Sequence, residues 1–295
     1  MDIRVLRYFL AAAQEENITK AAEMLHTTQS NLSRQLADLE SELGKTLFIR
    51  GKRKITLTEE GMFLRKRAQE IVELSDRTEN DVRMMGNTVS GTIHIGAVET
   101  HAMHLIGCSI LSLKKDYPDI QYDFFSGSIA ELGEMLDKGL IDFALMVAPI
   151  DMEKYMYLKV PVTDYAGLLM RSDCPLAEKK VIHPEDIGSY PVFVAHQQAE
   201  SNSLNSWLGK YAGTLNVIAG FNLITNPSML IDEGFGMAFT FANLVNTEGT
   251  NLIFRPLEPR MESDLYLVWK KFDMFTRASN LFLEELKRDW EGMHK

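Results

Sequence analysis

A leucine stripe within the first fifty residues is the strongest constraint on the fold of this chain. In the segment TTQSNLSRQLADLESELG (27–44), leucines stand at positions 32, 36, 39 and 43, and this spacing predicts one buried face of an α-helix. Thr28 is placed to cap the start of that helix, and Gly44 is placed to end it with a positive φ. The polar residues near the helix start are therefore expected on the opposite, exposed face.

Two further helices are predicted before this one. Leu6 and Phe9 recur at helical spacing, and NITKAAEMLH (17–26) predicts a second helix that begins at Asn17 or Thr19. Two helices joined by a short turn, with amide, hydroxyl and guanidinium groups at the start of the second, are typical of a helix-turn-helix that reaches DNA base edges. The alternative is that these groups only solvate an exposed helix face. The candidate DNA contacts at this helix start are Thr28, Gln29, Ser30, Asn31, Ser33 and Arg34.

A basic hairpin is predicted next. The segment LFIRGKRKITLT (47–58) has the pattern of two short strands around Gly51. Four cations at one turn repel one another, so an external anion explains them better than their mutual contacts do. The phosphate backbone of DNA supplies that anion, and the hairpin is expected to hold it as a wing. The candidate backbone contacts are Arg50, Lys52, Arg53 and Lys54.

The charge of the chain is divided unevenly along its length. The whole sequence carries a net charge of −10, yet residues 1–67 hold 12 Lys and Arg against 9 Asp and Glu. A basic module is therefore attached to an acidic body. An acidic total does not exclude DNA, because the attraction to phosphate acts over a screening length of only ~8 Å.

The segment from Thr19 to Gly61 resembles the winged helix-turn-helix of the LysR-type transcriptional regulators. The match to the family pattern runs without a gap and includes Ala21, Ala22, Leu25, Gln29, Ser33, Leu39, Glu40, Leu43, Gly44, Leu47, Phe48, Arg50, Leu57, Thr58 and Gly61. The resemblance implies a transcription regulator that binds double-stranded DNA through the helix-start and wing residues named above. Ser30 stands where proline is frequent in the family, and Asn31 where a small residue is usual.

A long helix without proline is predicted to follow the hairpin. It would extend about 42 Å if its roughly 28 residues are all helical. Its apolar residues recur at steps of three and four, and they are Leu64, Ala68, Ile71, Leu74, Thr78, Val82 and Met85. Such a stripe favours a partner helix, so we expect self-association: a dimer through this linker, with a tetramer favoured for the assembled protein. The alternative is a helix that packs only within its own chain.

The remainder, from GNTVSG (86–91) onward, alternates strands and helices in two similar rounds. This pattern predicts a mostly parallel sheet covered on both faces. The expected fold class is α/β: an N-terminal winged helix-turn-helix (1–58), a linker helix (59–87) and a two-lobed effector-binding domain (88–295). Lobe I is expected to comprise 88–160 and 255–295, and lobe II 161–254. This body resembles the effector domain of the same family, which has the fold of periplasmic binding proteins.

A cleft between the two lobes is the expected binding site for a small molecule. Ligands in such sheets lie beyond the carboxyl ends of strands, against helix starts. Hydroxyl groups at those positions favour an anionic or polar effector, such as a carboxylate, although each residue could also be an ordinary cap or turn. The candidates are Glu99, Thr100, His101, Ser126, Gly127, Ser128, His196, Ser201, Asn202, Asn222, Thr225 and Thr240.

Other chemistries find less support in the sequence. His101, His104 and Cys108 share one helix face, but without a fourth ligand we expect pocket groups and a thiol rather than a metal site. Cys108 and Cys174 are not expected to form a redox switch. No familiar catalytic or nucleotide-binding motif occurs, so neither an enzyme nor a cofactor is expected.

Location and rival functions follow from the same features. No apolar run reaches the ~18 residues that cross a bilayer, and no export signal is evident, so we expect a cytoplasmic protein without a membrane partner. Three alternatives remain at this point: a ligand-binding or transport module, an enzyme with a DNA-binding head, and a regulator that has no effector. The first would leave residues 1–87 without a role.

Overall fold

The structure is a computed structural model with two compact units, Met1–Gly86 and Asn87–Lys295. It describes residues 1–51, 54–84, 89–200, 202–272 and 274–293. Lys52, Arg53, Met85 and Ser201, which the sequence analysis singled out, lie outside the described residues.

Three helices, a hairpin and one long helix form the N-terminal unit. They are α1 (Ile3–Glu15), α2 (Ile18–Met24), α3 (Gln29–Leu43), β1 (Phe48–Arg50), β2 (Ile55–Leu57) and α4 (Glu59–Met84). The predicted caps are confirmed at two helices: Asn17 accepts a hydrogen bond from the Thr19 N–H, and Thr28 accepts one from the Asn31 N–H. Gly44 ends α3 with a φ of +62°. Residues 32, 36 and 39 of the leucine stripe are buried in one core with α1 and α2, which confirms the predicted inward face for these three. Leu43, at the end of α3, was predicted on the same face but is 40% exposed.

The hairpin is joined to α3 by one carboxylate. Glu40 Oε1 accepts hydrogen bonds from the backbone N–H groups of Leu47 at 2.6 Å and Phe48 at 3.1 Å. Gly61 lets the start of α4 approach the same segment, because a Cβ there would lie 2.2 Å from the Leu47 carbonyl oxygen. The wing strands, α3 and α4 are thus held together at one point.

The long helix α4 only partly follows the expectation of a partner-facing stripe. Ala68 and Val72 are buried in the core that contains α1, so this face packs within the chain. For these residues the structure agrees with the alternative prediction, a helix that packs against its own chain. Ile71, Leu74 and Val82 remain exposed, at 37%, 42% and 59% of their surface. The exposed residues leave an apolar stripe on α4 beside its intramolecular contact.

The C-terminal unit alternates strands and helices as expected. Its strands are β3 (Gly91–Ala97), β4 (Ile120–Ser126), β5 (Phe143–Val147), β6 (Tyr155–Arg171), β7 (Pro191–Ala195), β8 (Asn216–Phe221), β9 (Met237–Phe241), β10 (Leu252–Pro256) and β11 (Glu262–Lys270). Its α-helices are α5 (Met103–Asp116), α6 (Ile129–Asp137), α7 (Pro184–Ile187), α8 (His196–Glu200), α9 (Ser203–Leu208), α10 (Thr225–Asp232) and α11 (Arg277–Met293). Two 3₁₀ helices span Pro175–Glu178 and Gly209–Thr214.

All the described strands of this unit form one sheet with two parallel groups. In the first half, β3 pairs in parallel with β4 and β5. In the second half, β7 pairs in parallel with β8 and β9. Strand β6 belongs to both halves, since it pairs antiparallel with β11 along Tyr155–Tyr165 and with β9 and β10 along Ala166–Arg171.

The sequence overestimated the parallel content of this sheet. The pairings of β6, β10 and β11 are all antiparallel, and the first part of β6 was not predicted as a strand. Pro161, which lacks an N–H, lies where the β6–β11 register shifts and interrupts the apolar alternation that identifies a strand. The segment after Asn202 is not one continuous α-helix, because α9 ends at Leu208 and Gly209, with a φ of +54°, begins a 3₁₀ helix.

Separate apolar cores support the two halves. The first-half core includes Phe143, Phe282 and Trp290, so α11 packs against the strands of that half. In the second half, Leu168 and Leu169 point into different clusters on opposite faces of the sheet. The sheet is therefore covered on both faces, as predicted. Among the described residues, no helix has the length and apolarity that a membrane span requires.

We predict that Leu36→Ala destabilises the N-terminal unit by about 2–5 kcal/mol, because it empties a fully buried position between three helices. Hydrogen exchange of the α1 and α3 amides in the full chain measures this loss. Leu43→Ala on the same helix, at 40% exposure, is the control and should lower the opening free energy by less than about 1 kcal/mol. Equal losses in the two variants would contradict the assigned core.

Candidate functional site

The start of α3 presents an ordered group of polar side chains. The Asn31 side chain donates to Thr27 Oγ1 at 3.0 Å and accepts from Arg34 Nη2 at 3.3 Å. Gln29 and Ser30 are exposed beside them, and Ser33 is partly exposed. The predicted DNA contacts of this helix are therefore brought together on one surface, with the Arg34 guanidinium tethered near the helix start.

The wing differs from the expectation in one respect. Arg50 is exposed at the end of β1. Lys54, however, has an internal partner, because its Nζ lies 3.0 Å from Glu16 Oε2. The external anion expected for these cations therefore has an internal competitor at Lys54, whose predicted contact with DNA stays a prediction. Both partners are more than half exposed, so the pair adds little stability.

Glu99 links the two halves of the C-terminal unit. It follows β3 in the first half, and its carboxylate accepts a hydrogen bond from the Ile224 N–H at 2.7 Å. The Thr225 hydroxyl lies 3.5 Å from the other carboxylate oxygen. Burial raises the pKa of Glu99, and the bond from the Ile224 N–H acts in the opposite direction. Glu99 and Thr225, which were both predicted to line the pocket, are therefore in contact with each other.

Asp164 is a buried carboxylate that the sequence analysis missed. It lies in β6 and is only 6% exposed. Burial raises its pKa, while a hydrogen bond from the Thr100 side chain and the nearby His101 act to lower it. Its Oδ2 has no hydrogen-bond partner within the described part of the chain. The available signal was an acidic residue close to the start of the apolar run AGLLM (166–170).

Two cavities are lined by neighbours of Asp164, and neither lining includes Asp164 itself. One, of about 480 Å³, is lined by Thr163, which precedes Asp164, and by Ser263, which pairs with it across the strand ladder. The other, of about 410 Å³, is lined by Thr100 and His101. The remaining lining of the first cavity is Ala148, Gln198, Ser203, Phe241, Met261, Glu262 and Asp264.

Hydrogen bonds within the chain account for Ser128 and Gly127 at the start of α6. Ser128 caps α6 and forms a reciprocal capping box with Glu131, so its hydroxyl both donates and accepts. The Gly127 N–H donates to the Ala97 carbonyl. Ser126 is exposed at the end of β4. These residues line neither of the two cavities, and the cap interpretation accounts for Ser128.

The second-half candidates are dispersed. The His196 ring covers Gly220, where an added Cβ would lie 2.6 Å from the ring. Asn202 has a φ of +55°, and its side-chain oxygen accepts from Asn205. The side-chain oxygen of Asn222 accepts a hydrogen bond from the N–H of the next residue, Leu223. Thr240 was expected after a strand, but it is buried within β9 and pairs with Gly167.

The histidine and cysteine group forms no recognisable metal site. The His101 and His104 rings contact each other with centroids 4.5 Å apart and planes tilted by 58°. His101 lies in the turn before α5, so it does not share the helix with His104 and the exposed Cys108 as expected. Across the described ranges, no group of three or more potential metal ligands is found. Cys108 and Cys174 are both free thiols.

Comparison with known protein families accounts for both units. A model of bacterial regulatory helix-turn-helix proteins of the lysR family matches residues 3–62, and a model of the LysR substrate-binding domain matches residues 86–291. The chain belongs to the LysR family. It is a DNA-binding transcriptional regulator with a domain for a small-molecule effector, and not an enzyme.

Individual relatives agree with this assignment. The regulator BsdA of Bacillus subtilis is 35% identical over 198 residues, which cover 66% of this chain and 67% of that protein. The Hca operon activator HcaR of Escherichia coli is 28% identical over 279 residues, 93% of each chain. The fold of this LysR-family regulator is similar to that of full-length CbnR crystallised with its target DNA, with a TM-score of 0.76 at 18% identity, covering 98% of this chain and 100% of that one.

We predict that Glu99→Ala lowers the stability of the C-terminal unit by about 1–3 kcal/mol, because it leaves the N–H of buried Ile224 without its acceptor. Denaturant unfolding followed by tryptophan fluorescence measures the change. Glu233→Ala removes an exposed carboxylate at the other end of α10 and should change stability by less than about 0.5 kcal/mol. An equally small change for Glu99→Ala would show that its hydrogen bond with the Ile224 N–H does not stabilise the unit.

We also predict a pH-dependent effect of Asp164→Asn. The raised pKa of Asp164 means that the folded state holds its proton more tightly than the unfolded state does. The wild type therefore loses stability as the pH rises from the ordinary carboxyl range through the raised folded pKa, whereas the asparagine variant has no such loss. The variant's melting temperature, relative to wild type, should rise between pH 4 and pH 8. A difference that stays constant or falls across this range contradicts the assignment.

Proposed function

We propose that the exposed start of α3 reads base edges and that the wing contacts the phosphate backbone. The observation that carries this proposal is the capped helix start, where Thr28 holds the backbone and Asn31 holds Arg34 within 3.3 Å. A guanidinium held in this way forms paired hydrogen bonds to guanine, and amide groups do the same with adenine. The proposed base contacts are Gln29, Ser30, Ser33 and Arg34, with Thr28 and Asn31 in support.

The wing contributes affinity without sequence preference. Arg50 is exposed at the end of β1, and the sequence places Lys52 and Arg53 at the adjoining turn. Lys54 exchanges its contact with Glu16 for phosphate, because an exposed ion pair gives little free energy. Binding of the wing to DNA is therefore expected to weaken steeply with salt.

The effector occupies the cleft between the two halves of the C-terminal unit. Supporting this proposal, Glu99 and Thr225 meet across the two halves, and Thr100 and His101 line a cavity beside them. A small molecule that binds one arrangement of the halves more tightly shifts the population toward it. That differential binding is the source of control over the DNA-binding unit.

Self-association supplies the second DNA-binding unit. The exposed stripe of Ile71, Leu74 and Val82 on α4 is suited to a partner helix of a second copy. A dimer presents two recognition helices to successive major grooves, about 34 Å apart. The assembled protein is proposed to be a tetramer that acts in the cytoplasm, where its DNA is found.

We predict that Arg34→Ala weakens binding to the operator by about 1–3 kcal/mol and relaxes the preference at one base position. The operator is first isolated by selection from random double-stranded DNA, and fluorescence anisotropy at one salt concentration then measures affinity. Lys114→Ala, which removes an exposed cation from the C-terminal unit, is the control and should leave the affinity unchanged. Unchanged operator affinity for Arg34→Ala would remove Arg34 from the proposed contacts.

A further inference from the structure

A series of hydrogen bonds crosses the turn of the helix-turn-helix. Thr27 lies in the turn between α2 and α3, and its N–H donates to the carbonyl of buried Ala22 at 2.9 Å. The Thr27 hydroxyl oxygen accepts a hydrogen bond from the Asn31 amide at 3.0 Å. The Asn31 side-chain oxygen in turn accepts one from Arg34 Nη2 at 3.3 Å. The exposed guanidinium of Arg34 is therefore connected to α2 through two other side chains.

The two contacts of Asn31 require one orientation of its amide. An amide has a donating end and an accepting end, and the guanidinium has only donors. The amide oxygen must therefore face Arg34, and the NH₂ group then needs an acceptor on the opposite side, which the Thr27 hydroxyl provides. Without that hydroxyl, a partly buried amide N–H would lose its partner, and Asn31 would turn toward water instead.

The contact with Asn31 also sets the direction of Arg34. Asn31 lies one turn nearer the start of α3, so the bond holds the guanidinium toward the end that is proposed to meet DNA. Asp38 lies one turn in the other direction, and no hydrogen bond or ion pair joins it to Arg34 in the described part of the chain. A side chain that is already held in place loses less rotamer freedom when it binds.

This arrangement favours one base. Both ends of the Asn31 amide have partners inside the protein, so the amide is held away from the paired contacts that asparagine makes with adenine. The Arg34 guanidinium has five N–H donors, of which the bond to Asn31 uses one. Enough donors remain for paired hydrogen bonds to O6 and N7 of guanine.

We propose that Thr27 sets the base preference of this regulator as a positioning residue: it holds Asn31, and Asn31 holds Arg34 in place to read guanine. This inference rests on the proposed role of α3 in reading DNA and adds the residue that controls the preference. Asn31 is one of the two positions at which the helix departs from the family pattern, so this series of bonds is a property of this chain.

The test measures preference at each operator position separately. The full-length protein is titrated by fluorescence anisotropy, at one salt concentration, against the selected operator, every single base-pair substitution of it and a random duplex. Arg34→Ala identifies the base pair that Arg34 reads, because the preference for guanine is lost there. Thr27→Val removes the hydroxyl with little change of shape, and it should lower the preference for guanine at that same position about fivefold or more.

Three controls separate positioning from a structural role. Thr27→Ser keeps the hydroxyl and should retain the wild-type preference within about twofold. Thr27→Val should keep its affinity for the random duplex, which shows that the DNA-binding unit is folded. In the Arg34→Ala background, Thr27→Val should cause no further loss at the position in question, because Thr27 acts through Arg34. A loss spread evenly over all positions shows that Thr27 only supports the fold, and it overturns the proposal.

The remaining outcomes distinguish this inference from the proposed function. If Arg34→Ala loses the preference for guanine and Thr27→Val retains it, the inference is overturned, and the base contact of Arg34 stands. If Arg34→Ala keeps the wild-type preference at every position, the proposed base contact fails, and the inference fails with it.

Discussion

One strand, β6, connects the two halves of the effector domain through continuous backbone hydrogen bonding, and the geometry of the cleft depends on it. Its first part pairs with β11, and its last part pairs with β9 and β10. The halves therefore cannot slide past each other without breaking a ladder. The β6–β11 register shifts between Lys159 and Thr163, where Pro161 omits a donor, so a bend between the halves is expected there. Asp164 directly follows this shift.

Two acidic residues near this bend meet the requirement for hydrogen bonding in different ways. Glu99 is satisfied by a backbone N–H of the opposite half. Asp164 is held by Thr100 on one side only. The first carboxylate stabilises one arrangement of the halves. The second is buried in the strand that joins the halves, and burial opposes its ionisation.

The sequence was sufficient for features that depend on local spacing. The leucine stripe of α3, the cap at Thr28 and the helix end at Gly44 each follow from a few neighbouring residues, and the structure confirms them. The alternation of strands and helices likewise identified the α/β body. Ser128 was ambiguous, because a hydroxyl at a helix start has the same pattern whether it caps the helix or binds a ligand.

Sequence patterns could not predict contacts between residues that are far apart in the chain. The pairing of Lys54 with Glu16 and of Glu99 with Ile224 joins positions that only the fold brings together. The first part of β6 was missed because Pro161 interrupts its alternation, and with it Asp164 was missed as a strand residue. The burial of the Asp164 carboxylate depends on all the elements that pack around it, so no short sequence motif predicts it.

The bond from Glu40 to the N–H groups of Leu47 and Phe48 limits how regulation can operate. Because it joins the recognition helix to the wing, the reach between base contacts and backbone contacts is a fixed length within each subunit. Base contacts and backbone contacts of one subunit are therefore expected to move together. For the function proposed above, control would then act on the spacing between the DNA-binding units of separate subunits along the duplex.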